Sequence, residues 1–114
     1  MAEVERRKHE RVEVNVLLDL HTFGRVTMLG RGCIINLSLG GCCIEAPSDF
    51  QEGISLDLRI PLAEDSSLDV LGEVVWKQKR VGTFAYGIKF TEMSFGLRRK
   101  LHKYILVRLV ESNV

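Results

Sequence analysis

Side-chain polarity alternates with a period of two along most of this chain and switches, near its end, to the period of a helix. In the run from Arg11 to His21, Val12, Val14, Val16, Leu18 and Leu20 fall to one side, and Arg11, Glu13, Asn15 and Asp19 to the other. Successive side chains of a strand point to opposite faces, so such a run folds as a strand buried on one side. The same reading predicts a second strand over Arg31 to about Leu37, after a turn region marked by Gly24, Gly30 and Gly32. A third covers about Cys42 to Ala46, between Gly40-Gly41 and Pro47. The fourth opens at Gly53, alternates Leu56, Leu58 and Ile60 with Ser55, Asp57 and Arg59, and is closed by Pro61 and the polar loop AEDSS. A fifth runs from about Leu68 to Lys79, with Val70, Val74 and Trp76 on one face. A hairpin turn over Arg80–Thr83, carrying Gly82, leads into a sixth in which Phe84, Tyr86, Ile88 and Phe90 alternate.

Beyond this point Leu97, Leu101, Tyr104, Ile105 and Leu109 recur at helical spacing, with Arg98, Arg99, His102 and Lys103 on or near the opposite face. The spacing predicts one amphipathic helix of about four turns, with Thr91 or Ser94 as its cap. Six short strands and one terminal helix in 114 residues predict an all-β fold. The expected architecture is a six-stranded antiparallel β-barrel with a C-terminal amphipathic α-helix plugging or flanking one end. Closure removes the edges that a flat sheet would leave open. The barrel and helix are expected over residues 12–110, preceded by a flexible N-terminal segment, residues 1–11.

Composition narrows the function. Apolar residues make up 46% and charged residues 27%, ordinary for a soluble domain. No apolar run approaches the length of a membrane span, and the N-terminus MAEVERRKHE lacks the apolar core of a secretory signal, so the expected location is the cytoplasm. Cys33, Cys42 and Cys43 are odd in number and form no CxxC pair, which predicts reduced thiols on or between strands and no zinc site. His9, His21 and His102 fall in a tail, at a strand end and on a helix's polar face. Neither they nor the scattered acids form a catalytic pattern, and no phosphate-binding glycine loop is present. The expectation is a binding protein, not an enzyme. A formal net charge of only +1 argues against a general nucleic-acid coat protein, with no DNA expected as a partner, yet permits a local anion site.

Two clusters suit such a site. RRKHER, residues 6–11, gathers Arg6, Arg7, Lys8 and Arg11 immediately before the first strand. A guanidinium offers a planar fork of donors that matches phosphate oxygens or the O6/N7 edge of guanine, and it also stacks on a base. Arg7 and Arg11 lie four apart, about 13 Å in extended chain, which suits two parts of one larger ligand or a segment curled around it. The second cluster is NLSLGG, Asn36 to Gly41. Asn36 and Ser38 share a face in extended chain, Leu37 and Leu39 point to the core, and Gly40 and Gly41 permit a sharp turn with close approach to backbone N–H groups. Alone, each cluster reads more readily as a solvated tail or an ordinary turn; together, before the first strand and between the second and third, they read as halves of a split site. Trp76 either stacks near that site or belongs to the core.

With those residues in place, the sequence resembles the PilZ domain family, receptors for the bacterial second messenger cyclic di-GMP. Arg7-Lys8-His9-Glu10-Arg11 is similar to the family's RxxxR, and Asn36-Leu37-Ser38-Leu39-Gly40-Gly41 to its [D/N]xSxxG. INLSLGGCCI, LGEVVW, YGIKF and the closing helix extend the resemblance from about Arg6 to Leu109. It implies that Arg7 and Arg11 grip guanines and phosphates, that Asn36 and Ser38 hydrogen-bond a guanine or its phosphate, and that Gly41 leaves room for the ligand. It also implies that the arginine segment is mobile when free, folds over the ligand, and so presents a new surface to a downstream protein in motility, biofilm or exopolysaccharide control. Within that family a basic residue just before the first motif goes with a stacked pair of ligand molecules, so Arg6 implies two per domain. The resemblance thus points to a stand-alone adaptor with cyclic di-GMP as ligand and no other cofactor. Two alternatives are an interaction domain of the same fold without ligand binding, and a small nucleic-acid-binding barrel.

Overall fold

The computed structural model describes residues 11–63 and 66–112; Arg6 and Arg7 lie outside the described residues. The alternating runs form six strands: β1 (Val12–His21), β2 (Met28–Leu37), β3 (Gly41–Ala46), β4 (Ser55–Ala63), β5 (Ser66–Arg80) and β6 (Thr83–Glu92). Every neighbouring pair is antiparallel, and the order β1-β2-β3-β6-β5-β4 closes on itself as a barrel. The inward residues meet in one core that takes Leu18 and Leu20 from β1, Ile34 and Leu37 from β2, Ile44 from β3, and Leu56, Leu58 and Ile60 from β4. Val70 and Val74 of β5 and Tyr86 and Ile88 of β6 join them.

The terminal helix α1 (Phe95–Ser112) has 18 residues, five turns instead of the expected four. Ser94 is its cap: the Leu97 N–H donates to Ser94 Oγ at 3.2 Å. Leu101 and Ile105 are buried in the barrel core, and Leu97, Tyr104 and Leu109 pack against it. Among the described residues no helix is long and apolar enough to cross a membrane.

Strand limits differ from the sequence reading where local chemistry is overruled by pairing. Gly30 and Gly32 lie inside β2, not in a turn. The β1–β2 register slips between Leu20 and His21, and Gly30 sits at that slip with φ +135°, a backbone state that glycine reaches without strain. Pro61 lies within β4 and pairs with Ser67. The pairing of β4 with β1 covers only Asp57 to Arg59, so beyond it the strand is bonded on one side and tolerates a residue without an N–H. The β5–β6 hairpin closes on Val81-Gly82, with Arg80 opposite Thr83 and Gly82 at φ +74°.

Candidate functional site

The candidate residues converge because three strands slip register at the same level of the barrel. In β1 an extra residue falls between Glu13 and Val16, in β2 between Ile34 and Asn36, and in β5 between Val74 and Trp76. A bulge of this kind turns the residues beyond it to the other face. Val74 is fully buried, yet Trp76, two positions on, is 42% exposed. Trp76 is therefore not core, and the expectation that it shares a face with Val70 and Val74 is corrected by the bulge at Val75.

Beyond the bulges one row of register partners crosses four strands on the outside of the barrel. Asn36 pairs with Cys43, Cys43 with Gly87, and Gly87 with Trp76. Three inter-strand steps of about 4.8 Å make the row roughly 14 Å long. The Trp76 indole lies on Gly87, where a Cβ would overlap the ring's pyrrole side. The indole thus lies flat on the sheet, with its outer face open.

Above this row is a cleft of about 190 Å³, lined at one side by Arg11, Asn36 and Ser38, and at the other by Val75 and Trp76. Gly41, Cys42, Cys43, Gly87 and Ile88 form its base. Of the candidates in the sequence, Arg11, Asn36, Ser38, Gly41 and Trp76 meet here. Gly40 stands beside the cleft in the β2–β3 turn without lining it. Arg6 and Arg7 precede the described residues.

The β2–β3 turn is held by its own polar groups. Ser38 N–H donates to the Gly41 carbonyl at 2.9 Å, Gly40 N–H donates to Ser38 Oγ at 3.2 Å, and the Ser38 hydroxyl donates to the Gly41 carbonyl at 3.3 Å. The Phe90 N–H, donating to the Gly40 carbonyl at 2.9 Å, ties the turn to β6. A Cβ at Gly41 would overlap the Ile88 carbonyl. The barrel thus requires glycine at 41 for strand contact, whatever space a ligand takes.

Electrostatically the cleft joins a cation to neutral groups. Burial pushes the Cys43 thiol up from its ordinary value; Arg80 opposes this, Glu45 adds to it and Arg11 opposes it less strongly. Burial raises the Cys42 thiol further, with Cys43 contributing. Both sulfurs are thiols at neutral pH, a poor state for a nucleophile. The arrangement offers a guanidinium for an anion, an amide and a hydroxyl for hydrogen bonds, and an indole face for a planar ring. Among the described residues it holds no acid–base pair for covalent chemistry and no group of three His, Cys, Asp or Glu placed to hold a metal.

Cys43, Gly87 and Val75 escaped the sequence reading. The signals were present but weak: Gly87 interrupts an alternating run, which marks close approach or a bulge, and Val74-Val75-Trp76 breaks alternation with three apolar residues in succession.

Comparison with solved structures finds the same fold. The Bacillus subtilis inhibitor of motility MotI/DgrA has 20% identity and TM-score 0.77, over 93% of this chain and 52% of that one, so this chain spans about half its length. The PilZ domain of YcgR from Escherichia coli, solved with c-di-GMP, has 18% identity and TM-score 0.75, covering 94% of each chain. The K. pneumonia MrkH–c-di-GMP complex has 15% identity and TM-score 0.76, over 95% of this chain and 54% of that one. A comparison with curated proteins found no match. The PilZ domain model matches residues 5–107, from before the arginine cluster through most of α1, and this chain belongs to the PilZ domain family.

Proposed function

We propose that this domain is a receptor for cyclic di-GMP, with Arg11, Asn36, Ser38 and Trp76 as its ligand groups in the described cleft and Arg6 and Arg7 completing it from the N-terminal side. One observation carries the reading. Arg11, the last residue of RxxxR, and Asn36 and Ser38 of NxSxxG line the same cleft, opposite an exposed indole face. The ligand has two guanines and two phosphates. Its chemistry matches the groups present: guanidinium to phosphate or guanine edge, amide and hydroxyl to the base, indole to its π-face. In support, c-di-GMP is bound in the PilZ domain of YcgR and in MrkH.

Binding would draw the arginine segment over the cleft and so change the surface offered to a partner. The ordering entropy of that segment is set against the charge-assisted bonds it makes. Arg6 stacking on a second guanine would admit two ligand molecules. Control of motility is the output suggested by MotI, an inhibitor of motility.

Calorimetry and intrinsic fluorescence test this together, because the chain has one tryptophan and it lies in the cleft. Cyclic di-GMP should bind and shift the Trp76 emission. Arg7→Ala and Arg11→Ala should each weaken binding by about 1.5–3 kcal/mol, and Trp76→Ala by about 1–3 kcal/mol. No heat and no emission change at high micromolar ligand would sink the proposal. A stoichiometry of one would refute the stacked pair alone.

A further inference from the structure

Cys43 occupies a position in the cleft that neither sequence motif includes. It sits in the middle of the transverse row, between Asn36 on β2 and Gly87 on β6. Its neighbours in β3, Cys42 and Ile44, are buried in the core, so its own side chain points outward to the cleft. On one side stands the Asn36 amide, and on the other the Trp76 indole, laid flat because Gly87 has no side chain. The strand spacing sets the distance between Asn36 and Gly87, and the side chain at position 43 sets the depth of the slot between them.

We propose that Cys43 is a specificity-determining residue: the floor of a slot for one purine ring of the ligand, whose small, uncharged thiol leaves the depth that a base needs between the indole and the amide. This rests on the reading of the cleft as a nucleotide site. The chemistry suits a floor better than a reactive centre. A thiol held in its neutral form is a compact, polarizable surface and does not repel a phosphodiester as a thiolate would. Arg11 lines the same cleft and acts on the sulfur, so the floor lies within reach of a cation that would hold a phosphate.

The consequence is steric exclusion. A side chain about two heavy atoms larger than that of cysteine should fill the slot, and overpacking of this kind costs a closed site about tenfold or more in affinity. A base lying on the sulfur should equally shut out any reagent that attacks it, since the ligand and the reagent need the same space.

Two measurements test this on the full chain. In calorimetry, Cys43→Ser and Cys43→Ala should bind cyclic di-GMP within about threefold of the unmodified protein and Cys43→Leu about tenfold or more weaker, with thermal unfolding used to confirm that each variant is folded. In alkylation followed by peptide mass spectrometry, saturating cyclic di-GMP should slow iodoacetamide modification of Cys43 by about tenfold. Cys33 is the internal standard: it donates to Asn15 Oδ1 at 2.8 Å, lies off the row, and should react at an unchanged rate. Undiminished binding by a folded Cys43→Leu variant, or equal alkylation of Cys43 with and without a ligand that demonstrably binds, would overturn this inference and leave the receptor reading intact. Failure of the unmodified protein to bind cyclic di-GMP would overturn both.

Discussion

Gly41 and Gly87 both lie under the cleft, and the two lack a side chain for different reasons. At Gly41 a Cβ would overlap the Ile88 carbonyl, which is backbone in the neighbouring strand. Paired backbone inside a closed barrel has no direction in which to yield. At Gly87 the atoms nearest to a Cβ all belong to the Trp76 ring, a side chain that can tilt outward. Overpacking typically costs about 1–3 kcal/mol, and the two sites should divide that cost differently. Gly41→Ala should lose the larger part of it in urea unfolding. Gly87→Ala should lose less stability, but should lift the indole, shift the tryptophan emission and weaken nucleotide binding. Equal stability losses at the two positions would show that Trp76 is as fixed as the backbone. At this same scale the motif residues were legible, since Asn, Ser and Gly at turn spacing next to a basic cluster have direct chemical meaning. Cys43 was not legible, because a thiol in an alternating strand looks like any other half-buried residue until its cross-strand partners are known.

Between elements, Tyr86 of β6 latches the loop that connects β3 to β4. Its ring is fully buried; its hydroxyl donates to the Ser48 carbonyl at 2.6 Å and accepts from the Phe50 N–H at 2.8 Å. The Phe50 ring packs on it at 5.4 Å between centroids. Removing the hydroxyl leaves two backbone groups without their partner, and a buried polar group left unsatisfied costs about 1–3 kcal/mol. Tyr86→Phe is therefore expected to lower unfolding stability by that amount while leaving the cleft unaltered, so that nucleotide affinity is unchanged. A parallel loss of affinity would show that the loop and the cleft are mechanically joined. The elements themselves were readable from periodicity, because one buried face imposes a period of two on a strand and a buried stripe imposes 3.6 on the helix. What escaped is where strands slip past one another. The slips at Ile34–Asn36 and Val74–Trp76 depend on neighbours distant in sequence, and they put Asn36 and Trp76 on one outward row. Pro61 shows the same limit: as a lone residue it ends a strand, yet pairing with Ser67 carries β4 past it.

Across the whole molecule, the barrel has a second transverse row outside the candidate cleft. Arg31, Asp19, Arg59 and Asp69 are successive register partners on β2, β1, β4 and β5, and their charges alternate. Arg31 meets Asp19 at 3.2 Å and Arg59 meets Asp69 at 3.0 Å, with Arg25 joining Asp69 at 2.9 Å. Exposed pairs like these are individually worth little. Their position is what matters, because β1 and β4 close the barrel over only three paired positions, Asp19–Arg59, Leu20–Leu58 and His21–Asp57. Leu20 and Leu58 are wholly buried, and the charged partners flank them. Asp57 is the costly member of this seam. Burial raises its carboxyl above the ordinary value and Asp69 raises it further, against Arg25, His21 and Arg59, which lower it. A carboxyl whose value is raised by folding binds its proton more tightly in the folded state. Its contribution to stability is therefore full below about pH 4, the unfolded value, and is lost as pH rises through the folded one. At neutral pH the ionised Asp57 thus opposes folding, and Asp57→Asn should unfold at a higher temperature than the unmodified protein. The difference should shrink as the pH is lowered and vanish below about pH 4, where both side chains are uncharged. Thermal melts of the two proteins between neutral pH and about pH 3 read this directly. A variant that is less stable at neutral pH would show that attraction from Arg25, His21 and Arg59 outweighs burial, and that the seam is held by charge instead of tolerating it.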